Sequence, residues 1–284
     1  MSEMVEALLH DGTAIPVRVN GDGRALLIPA DVRPRSGPEA QTMREWGADP
    51  DLGPNLVSGL SHSYRVIAAD YEGHRMAHPA PDTLTPENVA ADFLAIADAA
   101  RAETFGYYGY SWLGLCGLQL AIRTNRLWAL IMGGFPPREG PYESMLAVTR
   151  AAHSAAATEQ SPEANLPVEP GDWDAATIQT NETQTRQFLT LYEALQDFDD
   201  STIGLAPDLP RLAFAGAADH IAYGPRWGDV TVRIGEPLVA HERELIEAGW
   251  DVQVLPALDH LGAMHSDVVV LLLHAWLGKV ARQQ

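Results

Sequence analysis

Apolar residues in this chain come in short runs that stop at turn residues, and longer segments of helical spacing separate them. Val5–Leu9 and Ile15–Val19 flank His10-Asp11-Gly12 and predict a hairpin. Ala25–Ile28, Tyr64–Ala69, Thr104–Gly109, Leu127–Met132, Leu212–Gly216 and Val252–Leu255 are near-continuous apolar runs, the pattern of parallel strands buried on both faces. Helices are predicted over Pro86–Ala102 behind a Thr85 cap, Trp112–Arg123, Glu236–Ala248 with Pro237 in its first turn, and Ser266–Arg282. Alternating strands and helices predict an α/β protein with a mostly parallel sheet covered on both faces.

The alternation breaks between Pro136 and Pro210, where no strand-like run occurs. That stretch carries helical spacing over Tyr142–Ala157 and Glu182–Phe198, a Pro/Glu-rich loop around Ser161–Gly171, and closes through Asp199-Asp200 and Pro207. It predicts a helical cap or lid at 136–210, inserted in a core domain made of 1–135 and 211–284. Insertions of this length are usually functional; ordinary crossover helices are the simpler alternative.

The chemistry-bearing stretch is Gly106-Tyr-Tyr-Gly109-Tyr110-Ser111-Trp112-Leu113-Gly114, which follows a strand and opens a helix. A Gly-x-Ser at such a junction places Ser111 on a tight, strained turn with its hydroxyl outward and the Trp112 N–H facing the same space. Gly109 leaves room for the turn. A helix-capping serine is the simpler reading of the tripeptide alone. Two more strand ends carry matching partners: Asp219 after Leu212–Gly216, and His260 after Val252–Leu255. A serine hydroxyl needs a base near neutral pH. An imidazole suits that role, and a carboxylate behind it fixes the tautomer and stabilises the imidazolium.

With these residues in place the sequence resembles the α/β-hydrolase superfamily along nearly its whole length. Ser111, Asp219 and His260 occur in that superfamily's order of nucleophile, acid and base. Tyr64–Asp70 with Tyr71-Glu72-Gly73-His74-Arg75 looks like its strand and following Asp-x-x-Gly-x-Gly loop, with Arg75 in place of the second glycine. The resemblance implies an eight-stranded, mostly parallel sheet with helices on both faces and a small helical cap over 136–210. It implies no cofactor and no metal. The chain departs from the pattern twice. Leu113 stands where the elbow has its second glycine, which here is Gly114. The His-Gly that ends the family's third strand is replaced by Pro29-Ala30-Asp31-Val32-Arg33. By correspondence with that strand end, the Asp31 N–H becomes the second oxyanion donor beside Trp112 N–H. Its carboxylate is then expected to turn away or pair with Arg33 or Arg35. Trp after the nucleophile is similar to prolyl aminopeptidases, haloalkane dehalogenases and epoxide hydrolases, but the last two carry Asp-Trp, and the aminopeptidase His-Gly-Gly-Pro-Gly is absent.

Tyr110 and Trp112, with Tyr107 and Tyr108 nearby, predict an aromatic-lined site, and Phe188 and Tyr192 of the insertion are expected to bind substrate. The expected reaction is hydrolysis of a hydrophobic small-molecule ester or lactone through an acyl-enzyme. Amide or C–C bond cleavage on the same triad, and a ligand-binding or receptor-like homologue with little turnover, are the alternatives. Other reactive side chains have plainer readings: Cys116 as a buried small hydrophobe inside a helix, Asp259 as a poorly placed competitor acid beside His260, and His220, His265 and His274 as loop or core-edge residues.

Charge narrows the partners. Asp and Glu outnumber Lys and Arg by 38 to 19, a net charge of −19 over 284 residues. Such a polyanion repels nucleic acid and anionic lipid, so neither is an expected partner; a homodimer stays open. One cysteine rules out an internal disulfide and a cysteine-based zinc site. The opening MSEMVEALLH lacks a basic leader, and the apolar run Val268–Leu273 is too short to span a bilayer. The expected location is the cytoplasm.

Overall fold

The computed structural model describes residues 2–158 and 180–283. The chain opens with the antiparallel hairpin β1 (Ser2–Leu8) and β2 (Ala14–Asn20), then β3 (Ala25–Ile28). Helices α1 (Gly37–Glu45) and α2 (Leu52–Leu60) lead to β4 (Arg65–Ala68), followed by α3 (Tyr71–Ala77) and α4 (Pro86–Ala99). Next come β5 (Phe105–Tyr110), α5 (Trp112–Ala121) and β6 (Leu127–Gly133). Helices α6 (Tyr142–Ala157) and α7 (Glu182–Ala194) precede β7 (Arg211–Gly216). A small second hairpin, β8 (His220–Tyr223) and β9 (Val230–Arg233), follows. The chain closes through α8 (Gly235–Ala240), α9 (Glu242–Glu247), β10 (Trp250–Leu255) and α10 (Ser266–Ala281).

Eight strands form one sheet in the order β1-β2-β4-β3-β5-β6-β7-β10. The first two strands run antiparallel, and every pairing from β4 through β3, β5, β6 and β7 to β10 is parallel. Successive side chains on a strand point to opposite faces, so each central strand feeds two cores. Tyr107, Leu130 and Ala213 pack with α4, α5, α8 and α9 on one face. Tyr108, Ile131 and Phe214 pack with α2 and α10 on the other. The predicted α/β architecture, mostly parallel with both faces covered, is the observed one.

Several elements differ from expectation. The segments 37–45 and 71–77 are helical although their sequences carry little apolar periodicity, and 52–60 is helical around Leu52, Leu56 and Leu60. In α2, Gly53 and Pro54 sit inside the helix, and Gly53 packs so closely on Asp31 that a Cβ there would lie 1.7 Å from the Asp31 carbonyl oxygen. The helix predicted over 236–248 is two helices, broken at His241, whose ring meets Glu139 and Glu244. The β8–β9 hairpin was not expected, because Gly224-Pro225 and Gly228 punctuate two four-residue strands. Within 136–210, α6 and α7 form as the spacing predicts and α7 starts with an Asn181–Gln184 capping box. The loop expected around Ser161–Gly171 lies outside the described residues. Helix α7 docks on the end of α3 and the segment after it: Gln187, fully buried, accepts from the Ala80 N–H and donates to the Arg75 carbonyl, and Gln184 donates to the Met76 carbonyl.

Candidate active site

Ser111 stands between β5 and α5 with φ 58° and ψ −132°, a backbone region that L residues rarely occupy. The turn is held from several sides. Its N–H donates to the Gly133 carbonyl on β6, its carbonyl accepts from the Gly114 and Leu115 N–H groups, and the Tyr107 hydroxyl donates to the Leu113 carbonyl. Gly109 is required by space: a Cβ there would lie 2.2 Å from the Leu113 carbonyl oxygen. The side chain of Leu113, in the place of the expected glycine, is accommodated at the cavity wall.

The loops after β7 and β10 are stitched together by Ala217 N–H to Leu255 carbonyl and Ala218 N–H to Leu258 carbonyl. Ile234 and Gly235, just past the β8–β9 hairpin, donate their N–H groups to the Asp219 carbonyl and fix that residue's backbone. Asp219 (2% exposed) and His260 (8% exposed) therefore face each other in the interior. His260 Nδ1 lies 3.0 and 3.1 Å from the two Asp219 carboxylate oxygens, and its Nε2 lies 3.1 Å from Ser111 Oγ. With Nδ1–H donated to the carboxylate, Nε2 is the lone pair that faces the serine hydroxyl. Asp259, the competing acid, is spent elsewhere: its carboxylate accepts the Gly262 N–H at 2.7 Å. Cys116 is buried inside α5, and burial pushes its thiol far above the ordinary range. His265 and His274 bond the Gly47 and Gly59 carbonyls, and His220 is exposed on β8.

Two neighbours complete the placement of His260, in roles the sequence reading did not give them. The buried Tyr110 hydroxyl donates to the His260 carbonyl at 2.7 Å, with the two rings 5.2 Å apart. Gly134, at φ +60°, gives the imidazole its room: a Cβ there would come within 3.0 Å of His260 Cε1 and closer still to the Tyr110 ring. The Gly133-Gly134 pair after β6 was the legible signal, since a double glycine at a strand end marks a close approach.

A cavity of about 590 Å³ opens at Ser111. Its walls are Ile28–Asp31 with Arg33 and Arg35, residues of the α1–α2 region between Met43 and Leu56, Asp70, Glu72 and Gly73, the elbow from Tyr108 to Leu113, and His260, Leu261 and Met264. The aromatic expectation is met only in part. Tyr108, Tyr110 and Trp112 line the cavity, but the Tyr110 hydroxyl is committed to His260. Tyr192 is 2% exposed in the core and does not line it, so its substrate-binding assignment is corrected: helical spacing placed it on the inner face of α7. Phe188 meets the site through Trp112, edge-on at 5.2 Å, and is not in the wall. Among the described residues the cavity wall contains none from 136–210. The segment 29–56 covers it instead.

At the Asp31 position, the Ala30 N–H is taken by the Ile28 carbonyl, whereas Asp31 lines the cavity and its N–H has no acceptor among the described residues. Its carboxylate pairs with Arg33 at 2.9 Å and Arg35 at 2.8 Å. Partial burial alone would raise this carboxyl, but the two guanidiniums hold it below the usual range. Among the described residues no group of three or more His, Cys, Asp or Glu is placed to hold a metal, and no helix is long and apolar enough to cross a membrane.

No family model and no curated protein matches the chain. Solved structures match it over nearly their whole length at low identity. A thermophilic esterase from Thermogutta terrifontis shares 18% identity over 99% of both chains, with a TM-score of 0.62. The enol-lactonase from Burkholderia xenovorans shares 20%, over 96% of this chain and 99% of the other, with a TM-score of 0.59. An epoxide hydrolase from Vigna radiata shares 13% over 98% of each, with a TM-score of 0.62. The fold of this chain is the α/β-hydrolase fold.

Proposed function

We propose that this chain is a serine hydrolase that cleaves a carboxylic ester or lactone of a small, largely apolar molecule. The observation that carries the reading is the continuous relay Ser111 Oγ–His260 Nε2–Asp219 at the ends of three parallel strands, opening on a 590 Å³ cavity. His260 accepts the Ser111 proton as Oγ attacks the carbonyl carbon. Asp219 stabilises the imidazolium without taking the proton. The oxyanion is held by the N–H groups of Trp112, whose place at the first turn of α5 leaves it without a helical acceptor, and of Asp31. The imidazolium then protonates the leaving alkoxide. A water activated by His260 cleaves the acyl-enzyme and returns the serine. The proposed nucleophile is an alcohol, which separates this chemistry from carboxylate-nucleophile alkyl transfer. The esterase and enol-lactonase among the structural neighbours are consistent with the ester reading.

The proposed division of labour makes 1–135 and 211–284 the catalytic core. In it the 136–210 helices act on substrate choice only indirectly, through the edge contact of Phe188 on Trp112. The test is turnover of p-nitrophenyl acetate, p-nitrophenyl butyrate and dihydrocoumarin by the purified chain and by Ser111→Ala. Loss of every accepted activity in the variant is expected. Wild-type turnover by Ser111→Ala would remove Ser111 as nucleophile. No turnover by the parent on any member, with tight binding instead, would favour a receptor-like homologue.

A further inference from the structure

The charges in the cavity wall are almost all accounted for. Asp31 is paired with Arg33 and Arg35. Asp70 caps α3 by accepting the Gly73 N–H and lies 3.5 Å from Arg33. Asp49 accepts the backbone N–H groups of Asp51 and Ser266. Glu72 is the exception. It sits on the first turn of α3 beside the elbow, it lines the cavity, and among the described residues its carboxylate has one partner, the Trp112 indole N–H at 3.2 Å. Among the described residues no cation pairs with it. The residue is exposed, and it opens on the cavity. Partial desolvation by the surrounding protein and the charge of Asp70 shift its carboxyl upward, against the indole hydrogen bond.

A neutral indole offers one N–H and leaves most of a carboxylate's acceptor capacity unused. A ligand bringing a positive donor supplies the charge-assisted hydrogen bond and the counter-charge that no described residue gives this carboxylate. The aromatic surroundings point the same way. The Trp112 ring bonded to Glu72 lines the cavity, backed by Tyr71 at 6.1 Å and Phe188 at 5.2 Å, which do not line it. A carboxylate beside a cavity-lining indole favours organic ammonium ions over neutral or anionic groups.

We infer that the cavity selects a substrate carrying an ammonium or similar cationic donor, held by the Glu72 carboxylate beside the Trp112 indole while the reacting carbonyl meets Ser111. This rests on the hydrolase reading for the word substrate, but the recognition itself does not depend on turnover. Glu72 is a specificity determinant here and takes no part in bond making. Arginines 33 and 35, being committed to Asp31, do not oppose a cation at the α3 side of the cavity.

The test compares benzylammonium with benzyl alcohol, which have nearly the same shape. Isothermal titration measures binding of each to the wild-type chain and to Glu72→Gln, which keeps an acceptor for the indole. Benzylammonium is expected to bind the wild type about tenfold or more tightly than the alcohol, the scale of a hydrogen bond to a charged group. In Glu72→Gln the ratio is expected to fall towards one. Equal affinities in the wild type overturn the inference without reference to any variant, and so does an unchanged ratio in a folded Glu72→Gln. The same two compounds are then tested as protectants of Ser111 against a fluorophosphonate. Failure of the reagent to label Ser111 at all sinks the hydrolase reading and leaves the titration to decide on Glu72.

Discussion

Replacing Tyr110 by Phe removes one oxygen and one hydrogen bond, and the structure gives each consequence a size. The hydroxyl donates at 2.7 Å to the His260 carbonyl, both groups are buried, and burial pushes the phenol far above its ordinary range, so the donor proton persists through alkaline solution. The variant leaves a buried carbonyl without that donor, which costs about 1–3 kcal/mol of stability. It also frees the backbone of His260, whose ring is otherwise held by Asp219 and by the space at Gly134. A displacement of about 1 Å at a catalytic base is worth on the order of 10²-fold in rate. The expected result is therefore a lower urea midpoint together with a kcat on p-nitrophenyl acetate reduced about tenfold to a hundredfold, with KM little changed. A destabilised variant with full kcat would show that the hydroxyl serves the fold alone. A variant unchanged in both would refute the placement of His260 described above.

Gly109→Ala puts a Cβ 2.2 Å from the Leu113 carbonyl oxygen, so the elbow must shift; a stability loss of about 1–3 kcal/mol by urea titration and a much larger relative loss of turnover are expected, and a fully active variant would contradict the elbow geometry. Asp31→Asn keeps the backbone N–H and is expected to retain acylation, whereas Asp31→Pro removes it and is expected to cost about 10²–10³-fold; melting temperatures must be compared first, and a thousandfold loss in a well-folded Asp31→Asn would assign the role to the carboxylate. His74 is held down to about 4 from the ordinary 6.5 by burial, then by the charges of Arg75 and His78. Its folded form resists protonation while the unfolded chain takes the proton, so its contribution is complete above about pH 6.5 and is lost as pH falls towards 4. Discounted for solvent screening, this amounts to about 1 kcal/mol between about pH 6.5 and 5, measured as a fall in the urea unfolding free energy that His74→Asn flattens; a flat wild-type profile in that window would contradict it.

The parts of the fold that could be read from the chain were those where burial writes itself into composition. β5, β6 and β7 are buried on both faces and consist almost wholly of apolar residues and glycine, so their ends, and with them Ser111 and Asp219, were locatable. His260 followed from the same logic after β10. What escaped were elements stabilised by contacts distant in sequence. Helices α1 and α3 are polar or short and form because neighbouring strand ends place them. β8 and β9 exist because their hairpin wraps back on the Asp219 backbone. The error about Phe188 and Tyr192 has the same origin: helical spacing shows that α7 has an inner face, but not that this face meets the core while 29–56 forms the wall. Glu72 was invisible because nothing in Tyr71-Glu72-Gly73 distinguishes a surface glutamate from one turned into a cavity.

The central claim is that Ser111 is a nucleophile activated by His260 and Asp219, and covalent labelling tests it most directly. The intact chain is treated with a fluorophosphonate and examined by mass spectrometry with peptide mapping. The account predicts one adduct per chain on Ser111, none in Ser111→Ala, and labelling slowed by about 10³-fold or more in a folded His260→Gln. Absence of an adduct on the folded wild-type chain, or an adduct at another residue that persists in Ser111→Ala, would contradict it.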